Sequence, residues 1–411
     1  MLLNTAVAFD VNRIRADFPA LHQSINQKPL VYLDNGATAH KPQCVIETTK
    51  QFYAHGNSNV HRGIHTLSQH ATNAYETARK TIRRFLNAPS EEEIILTSGT
   101  TMSCNLVAHS FGEAFLKTGD VVLVSEMEHH ANIVPWQLIA ARKGATVKAI
   151  PITDNGTIDL DVYRSFLTES VRLVSLIHVS NMLGTINPIH EMIQMAHEQG
   201  ILVMVDGAQS APHLPIDIQA LDADFFTFSG HKVFGPTGTG VLFGKKHLLE
   251  QMPPFFGGGD MIRTVSFDET TFNVLPHKFE AGTPNIAGFL GLDAALNYVM
   301  EVGFDGIEAH EQQLFAYAHA QLRAIDGLTL YGPSTDKAPV FSFMVQHIHP
   351  FDLGTLLDKQ GIAVRTGHHC TQPLHRRFGL SGSVRASFTF YNTLEEVDAL
   401  VHGIQKARRF F

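Results

Sequence analysis

Cysteine is scarce in this chain. Cys44, Cys104 and Cys370 lie far apart among 411 residues, and an odd, scattered count does not build the disulfide framework of a small secreted domain. A reducing compartment, the cytoplasm, is the expectation. Long apolar runs are missing as well: nothing approaches the ~18 residues of a membrane-spanning helix. The opening stretch MLLNTAVAFDVNRIRADFP has acids and arginines where a signal peptide needs an apolar core. No basic block interrupts the net charge of -8, which argues against a partner with a phosphate backbone. The chain also has no CxxC or HExxH spacing for zinc, no GxxxxGK[ST] loop and no repeat or low-complexity tract. Small molecules and proteins are the partners left.

With 44% hydrophobic and 17% charged residues, the chain can bury a full core, and its length suggests two domains. Between Glu92 and Gly244, EIIL, VVLVS, TVKAIPI, RLVSLIHVS, ILVMVD, DFFTFS and GVLFG alternate with longer amphipathic segments. That texture predicts the strands and crossover helices of a parallel α/β sheet. In IHEMIQMAHEQG, Ile189, Met192, Ile193 and Ala196 share one helical face, and Gly200 stands where a C-terminal cap belongs. After Ile286 a long helical stretch leads to shorter units, read as a smaller C-terminal α+β domain, with the site between the two parts.

Several short stretches carry chemistry. In DFFTFSGHKVFGPTGTG an apolar strand ends at Ser-Gly-His-Lys. Lys232 alone reads as a solvated lysine, but a desolvated amine there would be neutral and nucleophilic, fit for a Schiff base with an aldehyde cofactor. Asp206 closes the strand of LVMVDGAQSAP. As an isolated DG it is a turn residue; beside such a lysine it suits the pyridinium nitrogen of pyridoxal phosphate. LTSGTTMSCNLVAHSF offers a helix N-terminus with hydroxyls for phosphate. In EMEHHANIVPWQ, His129 sits at a strand's C-terminal end, where an imidazole can stack on a cofactor ring and move protons. VRTGHHC, from Val364 to Cys370, leaves three readings of its thiol open: metal ligand, nucleophile or buried hydrophobe. The 24 histidines, with pairs at His129-His130 and His368-His369 and with His61 four residues before His65, invite a metal. Adjacent histidines do not both easily reach one ion.

The ordered motifs EHHANIVPW, HVSNMLGTINP, VDGAQ, FSGHKVFGPTG, FEAGTPN and RTGHHC resemble the pyridoxal-phosphate cysteine desulfurases of the SufS type (group II), close to the selenocysteine lyases. The likeness runs from VYLDNGATAHKP near Val31 to RASFTFYNT near Arg385. It implies a fold-type I homodimer with a large seven-stranded, mostly parallel sheet domain and a smaller C-terminal α+β domain. The boundaries it suggests are 1–26 for an N-terminal segment joining the small domain, 27–292 for the large domain and 293–411 for the small one.

Residue by residue, the resemblance makes Lys232 the Schiff-base lysine, Asp206 the partner of the pyridine nitrogen, Gln209 a donor to the phenolic oxygen and His129 the stacking ring. Thr100, Thr101, Ser229 and His231 match the phosphate binders, and Thr283 matches one lent by the other subunit. Asn181 matches the family's asparagine that meets cofactor and substrate, Arg385 the arginine that clamps the substrate carboxylate, and Arg365, near the nucleophile, is read with them as substrate-binding. The implied reaction takes L-cysteine to L-alanine, holds the sulfur as a persulfide on Cys370, and passes it to an acceptor of the SufE or SufU kind for iron-sulfur cluster assembly. Activity extends to selenocysteine, with selenocysteine lyase as the alternative main role. Ser98 and Met102 stand where an arginine and a glutamate often flank the GTT turn, and Thr371 replaces a more usual alanine.

Overall fold

A computed structural model describes residues 9–333, 335 and 337–411; the first eight residues of the expected N-terminal segment lie outside the described residues. All seven apolar runs form strands: β1 (Ile94–Thr97), β2 (Val121–Ser125), β3 (Thr146–Ile150), β4 (Val171–Ile177), β5 (Leu202–Asp206), β6 (Phe225–Ser229) and β7 (Gly240–Gly244). They make one sheet in the order β1-β7-β6-β5-β4-β2-β3. Every residue of β2 and β6 is buried, so these strands show no polar alternation, as expected when both faces of a sheet are covered. β3 forms one edge and is largely exposed. The helix Ile189–His197 buries the predicted face of Ile189, Met192, Ile193 and Ala196.

Five neighbouring strands pair in parallel, whereas β7 runs antiparallel to both β1 and β6. The connection from β6 to β7 contains only the short turn Gly230–Lys232 and a loop, and a parallel return needs a crossover of about a dozen residues or more. β1 keeps the direction of the parallel set. The C-terminal ends of β1, β2, β4, β5 and β6 therefore share one edge, where α/β sheets collect their sites.

A second, antiparallel sheet orders β8 (Leu328–Tyr331), β9 (Val340–Val345), β11 (Ser383–Ser387) and β10 (Arg365–Gly367). It packs with the helices Phe304–Arg323 and Leu394–Ala407 around Phe341, Phe343, Leu314, Leu400 and Ile404. Along Phe304–Arg323 the packing partner changes: Ile307 belongs to the first core, while Leu314, Ala318 and Leu322 belong to the second. The N-terminal region crosses onto this layer. Val31–Tyr32 pairs in parallel with Ile362–Ala363, Leu33 enters the second core, and Arg15 meets Glu396 at 3.0 Å. None of the described helices is long and apolar enough to cross a membrane.

Candidate active site

The shared strand edge faces the second sheet across a cavity of about 210 Å³. All the candidate side chains except Thr283 line it: Lys232, Cys370, His129, Asp206, Gln209, Thr100, Thr101, Asn181, Ser229, His231, Arg365 and Arg385. Lys232 follows β6 in a tight turn, and among the described residues no side chain or carbonyl accepts a hydrogen bond from its Nζ. Burial pushes its ammonium down to about 8, against the pull of Asp206. Asp206, at the end of β5, is 2% exposed. Its Oδ1 accepts from the Ala208 N–H at 2.9 Å, and burial raises its carboxyl although Lys232 opposes that. Gln209 is pinned through Nε2 to the Gly36 carbonyl at 2.7 Å.

His129 follows β2. Its Nδ1 accepts the Ala131 N–H at 3.0 Å, and burial first, then Lys232, drives its pKa down to about 3. The ring is therefore neutral with its proton on Nε2. The preceding residue, Glu128, is fully buried and joins two strand ends: Oε1 meets Ser125 Oγ at 2.5 Å and the Ile177 N–H at 2.9 Å, while Oε2 accepts from Asn132 at 2.7 Å. Burial raises its pKa to about 8 despite these donors. The sequence stretch EMEHH contains this residue, but its role depends on β4, which is distant in the chain.

The GTT turn is built by close backbone approach. Gly99, at φ 146°, caps the helix Thr100–Phe115, and a Cβ on the facing Gly240 would lie 2.3 Å from Gly99 Cα. Ser229 Oγ accepts the Thr100 N–H at 2.9 Å and donates to Thr100 Oγ1 at 2.9 Å. First-turn N–H groups and hydroxyls thus converge on one corner, an arrangement that suits an anion.

On the opposite wall, Arg385 is 2% exposed. Its Nη2 donates to Asp34 Oδ1 and its Nη1 to the Asn181 carbonyl, each at 3.0 Å, while Nε is buried without a partner among the described residues. Gly36 lets the guanidinium approach: a Cβ there would stand 3.2 Å from Arg385 Cζ. Arg365 lies directly across the strand pair from Arg385. Like charges facing each other across a ladder repel, so this wall favours an incoming carboxylate. Asn181 spans the site, with Nδ2 donating to the His369 carbonyl at 2.7 Å and Oδ1 buried without a partner among the described residues.

Cys370 is half-buried on the rim. Both His369 and Cys370 have left-handed backbone, φ 49° and 58°. His130 anchors them, its N–H donating to the Cys370 carbonyl at 2.8 Å and its Nε2 accepting the Gln372 N–H at 2.9 Å. The adjacent histidines separate: His368 is exposed, whereas His369 is buried. His61 bonds Glu76 at 2.9 Å and His65 caps a helix by accepting the Ser68 N–H at 3.3 Å, so that pair serves two separate purposes. Among the described residues, no group of three or more His, Cys, Asp or Glu is placed to hold a metal. Thr283 is exposed outside the cavity. Ser98 and Met102 contact each other instead of forming an ion pair, with Ser98 Oγ 3.3 Å from Met102 Sδ.

Residues 31–400 match the family model described as Aminotransferase class-V. The chain is 51% identical over 400 residues to a probable cysteine desulfurase of Xylella fastidiosa strain Temecula1, covering 97% of this chain and 96% of that protein. It is 50% identical over 404 residues to a cysteine desulfurase of Escherichia coli O127:H6, covering 98% and 99%. Among solved structures, the cysteine desulfurase CsdA of Escherichia coli, in an S-sulfonic acid form, superposes with a TM-score of 0.92 at 42% identity over 98% of this chain and all of that one. The apo cysteine desulfurase of Thermococcus onnurineus NA1 gives 0.92 at 38% identity, over 97% and 98%. The chain belongs to the class-V aminotransferase family, in its cysteine desulfurase branch.

Proposed function

We propose that the protein is a pyridoxal-phosphate-dependent cysteine desulfurase that converts L-cysteine to L-alanine and takes the sulfur onto Cys370. One observation carries this reading: an amine with no hydrogen-bond acceptor among the described residues, a buried carboxylate, a neutral imidazole, two arginines and a thiol share one cavity. The residues fit the cofactor. Lys232 would hold its aldehyde carbon, Asp206 its ring nitrogen, Gln209 its phenolic oxygen, His129 its ring face, and Thr100, Thr101, Ser229 and His231 its phosphate. When bound, it supplies the electron sink that makes the substrate's Cα proton removable.

The chain's own residues supply the rest. An amine whose pKa is about 8 is roughly one-tenth neutral at pH 7, whereas at an ordinary lysine value it would be neutral in well under one molecule in a thousand. Lys232 can therefore take the Cα proton and return one later. Arg385, helped by Arg365 and Asn181, binds the carboxylate and fixes which face of Cα meets Lys232. Cys370, as thiolate, attacks the substrate sulfur. The S–S bond forms as the C–S bond breaks, its electron pair stays with carbon, and that carbon is protonated, so alanine leaves and Cys370 keeps a persulfide.

The half-exposed Cys370 beside the exposed His368 supports handing the sulfur to an acceptor protein of the SufE or SufU kind, with iron-sulfur cluster assembly as the destination. Activity on selenocysteine follows from the same residues. An exposed Thr283, with its neighbour Gly282 bonded to the Gly259 carbonyl at 3.0 Å, and the exposed Phe256, Val265, Phe267, Phe272 and Val274 support a homodimer in which each subunit lends Thr283 to the other's phosphate site. The change of core along Phe304–Arg323, between Ile307 and Leu314, supports two domains, and the bounds 1–26, 27–292 and 293–411 are taken from the family resemblance. We place the protein in the cytoplasm, where free thiols persist. The test is Cys370→Ser: alanine formation from cysteine should fall at least ~100-fold while the visible cofactor band stays. Undiminished sulfide and alanine production would overturn the persulfide role, and a colourless, zinc-loaded protein would overturn the whole reading.

A further inference from the structure

The segment carrying the thiol holds a costly shape, since left-handed backbone at a residue with a Cβ costs about 1–2 kcal/mol and His369 and Cys370 adopt it in succession. Asn181 and His130 hold its carbonyls from the cavity side. On its other side lies a second set of contacts that the reaction itself does not require. His375, in the short helix Gln372–Arg377, is fully buried. Its Nδ1 lies 3.1 Å from the Thr371 carbonyl and its Nε2 lies 3.1 Å from Ser383 Oγ. Ser383 Oγ in turn lies 3.0 Å from His369 Nε2. Thr371, Ser383 and His375 each have no exposed surface, and His369 is 4% exposed.

The far end of this chain determines its direction. A backbone carbonyl only accepts, so His375 Nδ1 carries the proton. Burial lowers the pKa of both imidazoles, that of His369 to about 2, so His375 is neutral and its Nε2 is an acceptor. Ser383 must then donate to His375 and accept from His369, whose proton is placed on Nε2. Thr371 reinforces the same turn, its hydroxyl donating to the His368 carbonyl at 2.8 Å. A chain pinned at a carbonyl cannot reverse, so it acts as an orienting clamp and not as a proton wire. It sets one tautomer and one orientation for His369, the ring adjacent to the thiol on the cavity wall.

We propose that His375 is a positioning residue for the Cys370 thiol, acting through Ser383 and His369 and, with Thr371, holding the left-handed turn from which the thiol reaches the substrate sulfur. The proposal rests on Cys370 being the sulfur acceptor, and the experiment separates the two ideas. His375→Leu and Ser383→Ala should each lower kcat for alanine formation about 10- to 100-fold, the range expected when a reacting group is misplaced by up to about 1 Å. The KM for cysteine and the cofactor band should stay unchanged. In the cofactor-free proteins, Cys370 should react with iodoacetamide at least ~3-fold faster or slower than in the parent. The double variant should be no worse than the poorer single one, because the pair acts in series. His375→Gln and Ser383→Thr, which keep an acceptor and a hydroxyl, should recover most of the rate.

Parental kcat and alkylation rates in both disruptive variants would overturn the proposal, as would losses that multiply in the double variant. Altered alkylation with unchanged turnover would also overturn it, because the placement of the thiol would then not govern the rate, whereas Cys370→Ser tests Cys370 as acceptor separately. Ser383→Ala removes one oxygen, so it keeps the test decisive should His375→Leu fail to fold.

Discussion

Lys232 shows what burial does to a single side chain. Its charged form is penalised in the native state and free of that penalty when unfolded, where lysine titrates near 10.5. Below pH 8 both states are protonated and the native state bears the full cost. Between pH 8 and 10.5 the unfolded state binds more protons, so stability rises with pH, and above 10.5 the penalty is gone. The gap between about 8 and 10.5 corresponds to roughly 3 kcal/mol. Cofactor-free Lys232→Met should therefore be more stable than the parent by about 2–3 kcal/mol at pH 7, with the difference shrinking toward pH 10.5. Urea denaturation at several pH values measures this, and equal stabilities at pH 7 would mean that the ammonium finds a partner. His129 illustrates the complementary case, since burial keeps it neutral throughout the working range. His368 and His369 show how far neighbours diverge when one side chain points to solvent and the next into the wall.

At the level of elements, the corner proposed to hold the phosphate exists because β7 inserts antiparallel between β1 and β6. Its first residue, Gly240, lies against Gly99, just before the helix that presents Thr100. A methyl group at position 240 would press on backbone, which has little room to yield. Gly240→Ala should destabilise the fold by about 1–3 kcal/mol, as overpacking typically does, and should weaken pyridoxal-phosphate retention more than cysteine binding. Thermal melting and cofactor content by absorbance check both parts; a melting curve and cofactor content like the parent's would show that the GTT turn tolerates displacement. The run GVLFG identifies a buried strand, but its direction was not legible as a local pattern. Direction follows from the missing crossover helix and from which two strands leave a gap.

At the level of the whole molecule, the site is closed by elements from both ends of the chain: Asp34 and Gly36 from the N-terminal region support Arg385 near the C-terminal end. In the proposed homodimer, the exposed apolar side chains from Phe256 to Val274 would form the surface that the second copy covers. Analytical ultracentrifugation should give a mass near twice 45.3 kDa at micromolar concentration. Phe267→Asp should shift the population toward monomer and lower cofactor affinity at least ~3-fold, because each site would lose the partner's Thr283. A monomeric parent, or a monomeric variant with full cofactor affinity, would remove the shared phosphate site.

The strands, the helix face at Ile189–Ala196 and the ordered motifs around Lys232, Asp206, His129 and Arg385 were legible in the sequence, because each depends on residues adjacent or one helical turn apart. Periodicity and strand-end chemistry are local properties. Glu128 on the Ile177 N–H, His130 on the Cys370 carbonyl and His375 behind His369 were not legible. Each acts on a group brought near by the fold, across a strand pair or between the two sheets, and its residue type alone does not reveal its partner. The question left open by VRTGHHC was likewise a tertiary one: burial separated the two histidines, and the opposite wall placed a lysine in the thiol's cavity.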